Sequence, residues 1–168
     1  MKYLKHLAVL VISLSLFGCG IYKLTGISLS EDTKTFQVNY FQNNAPLIEP
    51  GLERDFKIAL EEIIMNQTNL DLVKSNGDLV FEGEITEYRV SPTTATSDNK
   101  AAQNRLTIAV KVHFYDKNDD EAEFDQRFSF YFDFAGSSLL VGSQKETAIE
   151  EIFERITQDI VTASLAKW

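Results

Sequence analysis

Between Arg105 and Tyr115 the chain alternates almost without a break. Leu106, Ile108, Val110, Val112 and Phe114 fall on one side, and Thr107, Lys111 and His113 on the other. A period of two held over this length is a β-strand with one buried face, and it fixes which side chains enter the core. The neighbouring segments repeat the pattern. From Leu79 to Val90, Leu79, Phe81, Gly83 and Ile85 oppose Glu82, Glu84 and Thr86, and Ser91-Pro92 stops the run. Further on, Phe124, Phe128, Phe130 and Phe132 share a face, with Asp125, Arg127 and Ser129 behind them. Asp116 to Asp120 is a turn, and residues 91–104, without aromatics or branched aliphatics, read as a long hairpin loop. Three long strands joined by local connections pair most simply as an antiparallel meander.

Phe36, Val38 and Tyr40 alternate with Gln37 and Asn39, which predicts a further strand ended by Asn43-Asn44-Ala45-Pro46. Glu49-Pro50-Gly51 introduces a helix over roughly residues 51–66, with Leu52, Phe56, Ala59, Leu60, Ile63 and Gln67 as one stripe. Glu53 and Asp55 stand near its N-terminus, where the helix dipole favours negative charge. Asn76-Gly77-Asp78 is a turn signal. After a glycine- and serine-bearing loop at 135–143, a last helix over about 144–166 carries Ile149, Ile152, Phe153, Ile156 and Ile160. The order β-α-β-β-β-α predicts an α+β two-layer sandwich, a four-stranded sheet with two helices packed on one face. The other face is then bare. Its side chains (Thr107, Lys111, His113, Asp125, Arg127, Ser129 and Tyr131) mix polar and aromatic groups, the composition of a place for a partner.

Residues 1–18 have the order of a secretory leader: Lys2 and Lys5, an apolar run from Leu7 to Phe17, then Gly18. The run is well short of the roughly 18–20 residues that span a bilayer. The ending Leu16-Phe17-Gly18-Cys19 resembles the lipobox of bacterial lipoproteins, although Phe17 is bulkier than the usual residue there. That resemblance implies a diacylglycerol on the Cys19 thiol, cleavage before it, and an acyl chain on the new amine. No other cofactor is expected. One chain holds a protein on a membrane only marginally, whereas two or three hold it lastingly. The organisation is therefore a signal peptide at 1–18, a lipidated tether at 19–34 and a single domain at 35–168. Ile21, Tyr22, Leu24 and Ile27 make the tether apolar enough to lie against the body. Gly20, where an Asp would mark inner-membrane retention, points to the outer membrane on the same resemblance.

Cys19 is the only cysteine, so a lipidated chain has no thiol for disulfides, metal or catalysis. Loss of Lys2 and Lys5 with the leader takes the formal charge from −9 to −11, a poor match for nucleic acid. His6 leaves as well, so His113 is the only histidine of the mature chain, and no nucleophile elbow, zinc helix or phosphate loop is present. Asp116 to Asp120 opens like a calcium loop, but Glu121 and Arg127 stand where glycine and a bidentate Glu belong. The chain is not expected to be an enzyme.

The run from Gly77 to Pro92 (GDLVFEGEITEYRVSP) resembles the central strand of the LptE-type lipopolysaccharide-assembly lipoproteins, specifically their Bacteroidetes branch. Cys19-Gly20-Ile21-Tyr22, Asn44-Ala45-Pro46-Leu47 and Asn104-Arg105-Leu106-Thr107-Ile108 support it, and so does the order of elements. The resemblance implies an outer-membrane lipoprotein that plugs and helps assemble the β-barrel translocon LptD and supports delivery of lipopolysaccharide to the outer leaflet. Its domain would sit on the periplasmic side or inside the barrel lumen. Arg89, Lys100, Arg105, Lys111 and Arg127 are then candidates for lipopolysaccharide contact. Leu139, Leu140, Tyr131 and His113 are candidates for contact with the barrel. The alternative is a lipid-anchored carrier or auxiliary subunit that binds an apolar ligand for an envelope transporter, which needs a closed greasy pocket.

Overall fold

The computed structural model describes residues 29–93, 103–135 and 140–166. Its elements are β1 (Thr35–Asn43), α1 (Leu52–Gln67), β2 (Asp71–Leu72), β3 (Leu79–Pro92), β4 (Gln103–Asp116), β5 (Phe124–Ala135) and α2 (Gly142–Leu165). A single 3-10 turn, Asp120–Ala122, lies between β4 and β5.

The sheet has five strands rather than four, in the order β2-β1-β3-β4-β5. The additional strand is β2, two exposed residues that pair parallel with Thr35 and Phe36 at the edge of β1. Strands β3, β4 and β5 form the expected antiparallel meander. Strand β1 lies parallel to β3, an arrangement that needs a crossover and finds it in α1.

Two irregularities shift the alternation. In β1 the register slips between Val38, opposite Phe81, and Phe41, opposite Gly83. Phe41 therefore enters the core, and Tyr40, expected on the buried face, is 67% exposed. In β3 a bulge between Ile85 and Glu87 inserts Thr86 opposite the Ala109–Val110 step, so Tyr88 continues the buried row. Gly83 lies between these irregularities, where the backbones of β3 and β4 crowd together. A Cβ there would stand 2.0 Å from the Lys111 carbonyl oxygen and 3.1 Å from the Phe41 ring.

Both helices lie on one face and share one core with the sheet. Leu52, Phe56, Leu60 and Ile64 of α1 and Ile152, Phe153, Ile156 and Ile160 of α2 pack against Phe36, Phe81, Ile108, Val110 and their neighbours. Edge-on contacts run from Phe41 to Phe56 (5.0 Å) and from Phe56 to Phe153 (5.2 Å), tying β1, α1 and α2 together. Because β1, β3 and β5 run the same way, each helix follows a strand that ends at the same pole. The two helices therefore return side by side and parallel.

This gives the domain two poles. At one, the chain arrives from the tether: Leu29 packs on the core, and buried Thr33 accepts a hydrogen bond from Asn118 Nδ2 at 2.9 Å. Asp78 fastens the same corner, accepting from the Lys34 amide (3.1 Å), the Thr35 amide (3.0 Å) and the Thr35 hydroxyl (2.8 Å). The Lys34 amide first, and the Thr35 hydroxyl next, hold the Asp78 carboxyl below its ordinary range. The turn expected after β4 is closed by Asp116 Oδ1 accepting from the Asn118 amide at 2.9 Å.

At the other pole are the end of β3, the start of β4 and the beginnings of both helices. Here Glu49 accepts from Lys145 Nζ at 2.8 Å and from the Tyr88 hydroxyl at 3.5 Å. Burial, with Glu49 beside it, pushes the Tyr88 phenol up to about 12. Cys19, the expected lipidation position, and two of the candidate contact residues, Lys100 and Leu139, lie outside the described residues.

Candidate functional site

The face of the sheet away from the helices carries no other element among the described residues. Its central strands bring the side chains into rungs fixed by register: Glu82–His113–Asp125, Glu84–Lys111–Arg127, Glu87–Ala109–Ser129, Arg89–Thr107–Tyr131 and Ser91–Arg105–Asp133. Four of the five basic candidates (Arg89, Arg105, Lys111 and Arg127), together with Tyr131 and His113, thus share one surface. Leu140 does not. It is 7% exposed and belongs to the core, and Val141 beside it is the aliphatic that faces outward, at 60%.

Each base on this face is held by an acid. Lys111 and Arg127 stand directly opposite one another, a repulsive arrangement across a strand pair. Lys111 turns diagonally to Asp125 at 2.9 Å. Arg127 reaches to Glu87 Oε2 at 2.5 Å, crossing the intervening strand above Ala109. Ala109 is the small residue that lets the pair pass, and its side chain is fully covered although it lies outside the main core. The other oxygen of Glu87 accepts from Arg89 at 2.7 Å, so one carboxylate serves two arginines.

Arg105 makes a two-pronged contact with Asp133 at 2.7 and 2.8 Å, and its guanidinium lies 3.5 Å from the centre of the Tyr131 ring. Hydrogen bonding to Arg105 holds the Asp133 carboxyl low, and the same bond raises Arg105. Lys111 is likewise raised by its bond to Asp125. His113 Nε2 is 3.3 Å from Glu123. Toward the far pole, Arg89, Arg105, Thr107 and Tyr131 line a shallow hollow of about 470 Å³.

The second concavity was not anticipated from the sequence. It lies between the two parallel helices, on their solvent side, with a volume of about 780 Å³. Ala59, Ile63, Ile149 and Phe153 line its floor, and Asp55, Glu62, Glu146, Glu150 and Glu154 stand around it. The sequence signal was present in the first helix's stripe, which is wider than the sheet can cover. Leu52, Phe56, Leu60 and Ile64 are the buried residues of α1, while Ala59 and Ile63 are only partly covered.

No cluster of three or more His, Asp or Glu able to hold a metal occurs among the described residues. Nor is any of their helices long and apolar enough to cross a membrane.

The family model described as LptE, lipopolysaccharide-assembly, matches residues 33–164, most of the chain. No curated protein matches. Among solved structures, a hypothetical protein from Chlamydia trachomatis superposes with a TM-score of 0.53 at 10% identity, covering 80% of this chain and 99% of that one. Protein XCC0632 from Xanthomonas campestris gives 0.51 at 11% identity, covering 83% and 90%. At such identities it is the fold that is shared.

Proposed function

Since this chain belongs to the non-enzymatic LptE lipopolysaccharide-assembly family, we propose that it is an outer-membrane lipoprotein, anchored through Cys19, that seats in the lumen of the β-barrel LptD. There it supports barrel assembly and the passage of lipopolysaccharide to the outer leaflet. The observation that carries this reading is the length of the domain relative to its two poles. Strands β3 and β4 have 14 residues each, roughly 45 Å at about 3.3 Å per residue. The apolar band of an outer-membrane barrel is only about 25 Å tall. A domain tethered at one pole on the periplasmic side is long enough for its other pole to reach the outer surface.

The bare sheet face suits a water-filled lumen. It is polar, and its charges are cancelled locally, so little of the field of its arginines and lysines is left to oppose the barrel wall. Arg89 and Arg105, at the hollow nearest the far pole, are the strongest of the lipopolysaccharide-side candidates. A phosphate reaching them has to replace Glu87 and Asp133, which makes the contact exchangeable rather than permanent. Lys100, Lys111 and Arg127 remain candidates, as do His113, Tyr131 and Leu139 for the barrel wall.

Depletion of the protein, with surface lipopolysaccharide followed by labelling of intact cells, tests the reading. Lipopolysaccharide should accumulate inside the envelope, and wild-type chain should restore its export. A Cys19→Ala chain should no longer sediment with membranes. Undiminished surface lipopolysaccharide in depleted cells would overturn the assignment.

A further inference from the structure

The groove between α1 and α2 differs from the rest of the surface in charge. Glu62, Glu146, Glu150 and Glu154 stand around it, and no basic residue lines it. A fifth acid at one end, Asp55, is paired with Arg54 at 2.9 Å, but none of these four carboxylates takes part in any of the ten ion pairs found among the described residues. Below them the floor is apolar, and Ile58 beside it is 44% exposed. From Asp55 to Gln67 the groove follows α1 for about 18 Å at 1.5 Å per residue.

From this we infer that the groove between α1 and α2 is a docking site for an amphipathic helix of another protein, apolar on one side and flanked by lysines or arginines. Three arguments select that occupant. An extended strand pressed on an apolar floor leaves backbone amides and carbonyls without partners, whereas a helix satisfies its own. About three turns of helix match the groove's length, with apolar anchors at 3–4-residue spacing entering between the two parallel helices. Carboxylates along both flanks select basic side chains and disfavour an anionic membrane surface.

A second copy of this chain is a poor fit, because an isologous contact sets one acidic rim against another. The chain's own tether is also a poor fit, since residues 19–28 contain only one base, Lys23. The inference does not depend on the barrel reading and stands or falls separately from it.

The test uses the full-length lipidated chain in its own cells, with a photoreactive phenylalanine analogue at Ile58 and, in a separate strain, at Tyr131 on the sheet face. Crosslinked peptides are sequenced. The Ile58 adduct should map to a peptide of a different protein, with apolar residues at helical spacing and Lys or Arg between them. Its yield should fall about tenfold or more in an E62K/E150K/E154K chain, and by a smaller factor in E62Q/E150Q/E154Q. The Tyr131 adducts and the thermal midpoint should be unchanged in the glutamine variant, separating lost docking from lost folding. Adducts to residues 19–28, to a second copy, to lipid or to an acidic or extended peptide would overturn the inference. So would the absence of any adduct, or a yield that ignores the charge changes.

Discussion

The two faces of this domain carry charge in opposite ways. On the sheet face, Arg89, Arg105, Lys111 and Arg127 are each within 2.9 Å of a carboxylate oxygen, and the rungs cancel within a few side chains. On the helix face, Glu62, Glu146, Glu150 and Glu154 surround an apolar groove with no cation lining it. Both faces are exposed, and exposure alone does not distinguish them. The difference lies in whether a surface completes its own electrostatics or leaves that to something else. A face whose charges are already paired can lie against many polar walls without specificity. A groove with an apolar floor and uncompensated acids discriminates strongly by charge.

The largest effect expected on this comparison comes from breaking the sheet beneath its charged face. Gly83→Ala places a Cβ against the Lys111 carbonyl and forces β3 away from β4. It should cost about 4 kcal/mol or more, read as a lowered midpoint in urea or a chain that does not accumulate. Next is the helix side. Phe153 both lines the groove and packs into the core against Phe56, so Phe153→Ala should cost about 3–5 kcal/mol. Ile63→Ala, on the same floor but only partly covered, should cost about 1 kcal/mol or less. Equal losses at the two positions would mean that the groove is core and not a surface.

Acid should act chiefly through carboxylates held by partners. Asp78 and Asp133 both have folded values below their ordinary 3.8. Below that pH the unfolded chain binds more protons than the folded one. Their contribution is therefore complete above about pH 4 and is lost as pH falls through the depressed values. Thermal melts between pH 5 and pH 2.5 should show the decline, and Asp78→Asn or Asp133→Asn should flatten part of it. The smallest effects are single surface changes. Arg105→Ala should lower Tm by about 1–3 °C, and Glu150→Gln should leave it unchanged or slightly raised. A larger loss at Glu150 than at Arg105 would invert the contrast between the faces.

The long strands of the meander were legible because one buried face imposes a period of two, which the sequence displays directly. Strand β2 was not, since two exposed residues have no period. It exists through backbone pairing, with the Asp71 amide bonded to the Lys34 carbonyl and the Val73 amide to that of Phe36. The placement of Tyr40 failed for a related reason: a bulge changes which parity is inside, and nothing in Asn39-Tyr40-Phe41 marks it. Basic candidates on the sheet could be found by counting residues along strands, but their partners could not. The Arg127–Glu87 pair joins residues two strands apart across Ala109, which requires the register of three strands at once. On α1, residue spacing puts Ala59 and Ile63 in one apolar stripe with Leu52, Phe56 and Leu60. The sheet has room for only part of that stripe, and the remainder became the floor of the groove.

The most direct measurement of the proposed role is the native mass of the tagged, lipidated protein released gently from outer membranes. A complex of one copy with one large β-barrel is the predicted result. A lone monomer from membranes in which the barrel itself remains intact would contradict it.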